Sequence, residues 1–133
     1  MGNYPLSQQA NGEKLRGVVA FGTESVAVAA VIANGQSLSD AARLDSAIPV
    51  RLVIPAGFLG NGIEVQTSID GTDFFDLYGS DGSKVRLTAV AGSSMRLTPA
   101  EWIGIKAVKF RAVLNGVAQA QDAARAISIV AVP

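Results

Sequence analysis

Period-two alternation, repeated along the chain and broken by tight-turn residues, constrains this sequence most. Val26, Val28, Ala30 and Ile32 fall on one side of an extended segment. Ile48, Val50, Leu52 and Ile54 do the same, with Arg51 pointing the other way. Ile63, Val65, Thr67 and Ile69 alternate with Glu64, Gln66, Ser68 and Asp70. Phe75 and Leu77 alternate with Phe74, Asp76 and Tyr78, and Val85, Leu87 and Ala89 with Lys84, Arg86 and Thr88. Val108, Phe110 and Ala112 alternate with Lys109 and Arg111, and Ile127, Ile129 and Ala131 with Ser128 and Val130. Side chains of a strand point to opposite faces in turn, so each run predicts a strand with one buried face and one wet one. That is the habit of antiparallel sheets.

Asn34-Gly35, Pro55-Ala56-Gly57, Gly60-Asn61-Gly62, Asp70-Gly71, Asp81-Gly82 and Asn115-Gly116 lie between the runs. Gly and Asn tolerate positive φ and Asp bonds its own backbone, so these are turn signals. Strands at this spacing predict an all-β fold, an antiparallel β-sandwich of jelly-roll-like type. The first fourteen residues are polar, with Gly2, Pro5 and Gly12, and predict an extended N-terminal arm over 1–14 beside a single sandwich domain over 15–133. Ser37 to Leu44 and Ala118 to Ala126 stay open between a helical turn and irregular chain.

Composition decides which chemistries are open. The 133 residues suit one domain, and 49% apolar content suits a packed core. Eleven basic residues balance eleven acidic ones, so no basic excess draws the chain to nucleic acid. There is no cysteine and no histidine. Disulfides, thiolate nucleophiles and nearly all zinc sites are thereby excluded, together with the commonest general base. The longest apolar stretch, Val26 to Ala33, falls far short of the roughly 20 residues of a helical membrane span. The expectation is a protein that binds without catalysing: no enzyme, no cofactor, no metal, no small-molecule substrate, no membrane and no nucleic acid.

Motifs that might say otherwise fit turns better. The glycines of GFLGNG, residues 57–62, are followed by an alternating strand, whereas a phosphate loop leads into a helix. Asp70, Asp73, Asp76 and Asp81 lack the spacing and closing glutamate of a calcium loop, and turn-forming aspartate accounts for them. Trp102 is the only tryptophan. It either plugs one end of the sandwich or stacks on a sugar with Tyr4, Phe74 and Tyr78.

Charge is distributed unevenly. From Leu52 to Ser83 there are acids at 64, 70, 73, 76 and 81 and no base; from Lys84 to Arg111 there are six bases and one acid, Glu101. Either the two groups pair across strands of one sheet, or they form opposed patches that meet between subunits. The second possibility nominates Asp73, Asp76, Lys106, Lys109 and Arg111 as an assembly interface, with Tyr4, Pro5 and Leu6 of the arm docking on a neighbour.

Four further pieces go together: S-x-D-G-x-x-F at Ser68 to Phe74, L-x-P before an aromatic at Leu97 to Trp102, the basic K-F-R at Lys109 to Arg111, and Q-x-x-x-R-x-I at Gln121 to Ile127. In these pieces the stretch from Ile54 to Pro133 resembles small accessory virion proteins of tailed bacteriophages and gene transfer agents, of the capsid decoration and head-spike base type. The resemblance implies a non-enzymatic structural protein of a virion, assembled in the host bacterial cytoplasm. Its partners would be the major capsid protein or other virion proteins, and it would form a homo-oligomer. The alternatives are a carbohydrate-binding sandwich for host-surface attachment, with Trp102 as the sugar contact, and a neck or tail component.

Overall fold

The computed structural model describes residues 25–133. The arm expected over 1–14, with Tyr4, Pro5 and Leu6, lies outside the described residues. The strands are β1 Val26–Ile32, β2 Ala42–Arg43, β3 Ile48–Val53, β4 Gly62–Ser68, β5 Phe75–Asp76, β6 Arg86–Thr88, β7 Ser94–Arg96, β8 Ala107–Leu114, β9 Val117–Ala118 and β10 Arg125–Val132. A 3-10 turn, Pro99–Trp102, precedes β8. No helix among the described residues is long and apolar enough to cross a membrane.

The strands form two sheets, and every pairing is antiparallel, as the alternation predicts. The first sheet runs β9-β8-β4-β5, with β2 also beside β8 and β6 also beside β4; the second runs β1-β10-β3-β7. Among the described strands the pairs nest from the outermost inward: β1 with β10, β2 with β8, β3 with β7, and β4 with β5 and β6. Successive pairs alternate between the sheets. At the β8–β9 turn Asn115 and Gly116 have φ of 51° and 82°, the double positive φ that an Asn-Gly hairpin turn needs.

The core lies between the sheets. Ile63 and Val65 of β4 and Val108, Phe110 and Ala112 of β8 face Ala30 and Ile32 of β1, Leu52 of β3 and Ile127 and Ile129 of β10. Burying one such large side chain stabilises the fold by about 1.5–3 kcal/mol. Trp102 joins the same cluster from the 3-10 turn.

Three details depart from simple alternation. The β3–β10 ladder shifts between Val130 and Ala131, a bulge that turns Pro49 inward and leaves Ile48 and Val50 half-buried. Phe75, expected on the apolar side with Leu77, is 70% exposed, because β5 is a two-residue strand at the sheet's edge. Neither open segment becomes a helix. Ser39 Oγ accepts the Phe110 N–H at 2.9 Å and donates to the Asp40 carbonyl at 2.7 Å, which ties residues 37–44 to β8. The Gln121 side chain accepts the Leu59 N–H at 2.9 Å and donates to the Leu59 carbonyl at 2.8 Å. Such long-range bonds override helix propensity over a short stretch.

Candidate interaction surface

Because core-facing side chains alternate with outward ones, each sheet presents an outer face to its surroundings. On the first sheet that face carries the charge. Glu64 of β4 stands in register with Arg111 of β8 on one side and Arg86 of β6 on the other. Its carboxylate accepts the Arg86 Nε–H at 2.9 Å, and Lys84 Nζ and Arg111 Nη1 each lie 3.8 Å away. Glu64 is only 5% exposed although it points outward. The stems of long cationic side chains cover outward positions in this way while their heads stay wet. Asp76 of β5 adds a second anion, 3.5 Å from Lys84 and 4.0 Å from Arg111, and its carboxylate accepts a hydrogen bond from the Gln66 amide. Two anions thus offset most of the charge of three cations on a single face, leaving a net charge of +1 in the network.

The nominated residues divide between this network and other places. Asp76 and Arg111 belong to the network. Lys109 lies over the Phe74 ring, 4.6 Å from its centroid, a cation–π contact. Lys106 is 4.0 Å from Asp45, at the opposite end of β8 from the β9 hairpin. Asp73 is exposed, and its N–H donates to Asp70. Asp70 accepts N–H groups of Asp73 and Thr72 and the Ser68 hydroxyl, and these bonds lower its pKa to about 2. Bonds from the Ser83 N–H and hydroxyl lower that of Asp81. Both acids therefore build turns. Sequence reasoning had not singled out Glu64 as the hub. The signal was present, since Glu64 is the acid in the middle of a long alternating run whereas Asp70 sits at its closing Asp-Gly turn, but its partners emerge only once strand register is known.

The outer face of the second sheet has different chemistry. Across it run Ala27 and Ala29 of β1, Ala126, Ser128 and Val130 of β10, Arg51 and Val53 of β3, and Ser94 and Arg96 of β7. Arg51 and Arg96 are direct cross-strand partners, both exposed. Among the described residues neither has an acid within ion-pair distance. Every other described cation has a partner: Arg43, Lys84, Arg86, Lys106, Arg111 and Arg125 each have an acid within 4.0 Å, and Lys109 has its ring.

A cleft of about 590 Å³ opens between residues 77–87 and the 3-10 turn. Tyr78, Asp81, Ser83 and Glu101 line it, and Trp102 contributes to its wall. Trp102 is 4% exposed and packs into the core, so its ring offers no open face for a sugar; Tyr78, at 55%, does. Among the described residues no group of three acidic side chains is arranged to hold a metal ion.

No family model, no curated protein and no solved structure matches this chain.

Proposed function

We propose that the chain is a structural protein of a phage-like virion, a capsid decoration or head-spike base protein that acts by binding the capsid surface. The observation that carries this reading is the nested strand pairing. Nested pairing in alternating sheets among the described strands supports a jelly-roll-like reading of the sandwich, an architecture used for capsid and lectin domains. The resemblance of Ile54 to Pro133 to accessory virion proteins supports the first of those two uses. The outer face of the second sheet supports it too, because Arg51 and Arg96 stand exposed there with no acid within ion-pair distance among the described residues, and arginine is enriched at protein interfaces. A decoration protein adds buried area across joints between capsid subunits and stabilises them by mass action.

The test is to purify particles from producing cells and measure the chain's copy number by quantitative peptide mass spectrometry. A fixed ratio to the major capsid protein, with antibody label on the head by electron microscopy, is the expected result. Label on the neck or tail would move the protein to another virion position. A chain found only in the particle-free fraction overturns the reading.

One observation favours a second reading, carbohydrate binding: the cleft with exposed Tyr78 on its wall. Glycan-array retention that Tyr78→Ala abolishes without unfolding the chain would select it.

A further inference from the structure

We propose that Asn115-Gly116 is a self-modification site: the tip of the β8–β9 hairpin is arranged to close the Asn115 side chain onto the Gly116 amide nitrogen and release ammonia. Asparagine followed by glycine is the least hindered setting for this cyclisation, because glycine has no side chain to shield the attacking nitrogen. Among the described residues the pair occurs at 34–35, 61–62 and 115–116, and the structure separates the three. At Asn34 the Gly35 N–H donates to the Gln121 carbonyl at 2.8 Å, which engages the nitrogen that would attack. At Asn61 the glycine is the first residue of β4, buried and in register between Thr88 and Val113. Gly116 is exposed in a two-residue turn, outside the ladder that Val117 and Leu114 close.

Two neighbours favour the reaction at Asn115. The first is Asn61. The Asn115 N–H donates to Asn61 Oδ1 at 3.0 Å, and Asn61 Nδ2 donates to Asn115 Oδ1 at 2.9 Å. A backbone N–H can only donate, so it fixes which way the Asn61 amide points, and with it the Asn115 amide. Asn115 Cγ is thereby polarised, and its oxygen already has a donor for the negative charge that attack places on it. The second neighbour is Arg86. A Cβ placed on Gly116 would sit 3.5 Å from Arg86 Nη2, so the guanidinium lies against the glycine. Arg86 is itself held by Glu64 Oε2 at 2.9 Å. A fixed cation beside an amide favours loss of the amide proton, and the deprotonated nitrogen is the nucleophile.

The bonds change as follows at this turn. Hydroxide takes the Gly116 amide proton. The nitrogen's electron pair bonds Asn115 Cγ, and the carbonyl π pair moves onto Oδ1. When that pair returns, the Cγ–Nδ2 bond breaks, and the nitrogen leaves as ammonia with a proton from water, which restores the hydroxide. The product is a five-membered cyclic imide. One water opens it at either carbonyl, giving aspartate at 115 or the isomer whose main chain runs through the side chain. One asparagine and one water thus become one carboxylic acid and one ammonia. The new carboxylate forms beside the residue that Arg86 touches, next to a network with a net positive charge. This chemistry stands or falls independently of any role on a virion.

The experiment holds the full chain at mildly alkaline pH, in native buffer and in concentrated urea, and follows each asparagine by peptide mass spectrometry. In urea the local sequence alone sets the rate. Asn115 should convert in the native chain at least as fast as in urea, while Asn34 and Asn61 each fall at least tenfold below their urea rates. Asn61→Ala, which removes the donor to Oδ1, should slow Asn115 several-fold in the native chain and leave its urea rate unchanged. Arg86→Gln should do the same, and Arg86→Lys, which keeps the cation, should restore part of the rate. If the native fold slows Asn115 as much as Asn34, the proposal is overturned. It is also overturned if neither Asn61→Ala nor Arg86→Gln slows the native conversion, because the hairpin would then restrain the amide and not activate it.

Discussion

On the outer face of the first sheet a glutamate sits among three cations; on the outer face of the second, two arginines sit opposite each other with small neighbours. Both faces come from the same alternation of inward and outward side chains. Their difference lies in whether opposite charges meet. In the first sheet the acid-rich stretch before Ser83 supplies Glu64 and Asp76, and the base-rich stretch after it supplies Lys84, Arg86 and Arg111. The hairpin from β4 through β6, and the return of β8, fold the two stretches against each other. The second sheet draws on Arg51 and Arg96, which among the described residues have no acid beside them in register. Uneven charge along a sequence thus becomes largely paired on one face and, among the described residues, stays unpaired on the other.

One core lies beneath both faces, and removing Trp102 tests this with the largest effect. Trp102→Ala should cost about 3–5 kcal/mol in urea unfolding, as loss of a large core aromatic does. A loss below about 1 kcal/mol would show that the 3-10 turn is not part of the common core.

Next in size is the hub. Glu64→Ala removes a nearly buried carboxylate and leaves three cations without it. A fully buried pair broken this way costs about 3–5 kcal/mol. Here Arg86 is half exposed and can hydrate, so the expected loss is about 1.5–3 kcal/mol, the range for charge-assisted hydrogen bonds. Glu64→Gln, which keeps the shape, should recover part of it. If Glu64→Ala is neutral, the network is an ordinary solvated surface and the contrast between the faces disappears.

A third effect is confined to acid. Asp70 has a folded pKa of about 2 against a usual 3.8, lowered by the N–H groups of Asp73 and Thr72. A depressed folded pKa means stability that is fully present above about pH 4 and lost as pH falls through about 2. The Tm of the native chain should therefore fall more steeply from pH 4 to pH 2 than that of Asp70→Asn. Parallel curves would remove Asp70 from the acid response and leave the turn's stability to backbone geometry alone.

Much of this organisation was legible in the sequence, for identifiable reasons. Period-two runs gave the strands and the two-faced sheets, because alternation is local. Asn115-Gly116 gave its hairpin, because positive φ at both positions is a property of those residues. Phe75 misled, because alternation says which side a residue takes and not whether the core extends that far. Ser37 to Leu44 stayed open, because Ser39 finds its partner seventy-one residues away at Phe110. Glu64 as a hub, and Arg51 opposite Arg96, depend on register between strands distant in sequence. Composition carries no register.

The smallest prediction addresses that last pair. Arg51 and Arg96 are exposed, and like charges directly opposite each other in a sheet repel. Arg96→Glu turns the repulsion into an attraction and should raise stability by about 0.2–1 kcal/mol at low salt. The gain should shrink toward zero in 1 M salt, where screening acts over about 3 Å. A stabilisation that ignores salt would come from strand propensity and not from charge. A loss of stability would mean that Arg96 already has an anionic partner in the folded chain, and the cations of the second face would then be paired as those of the first are.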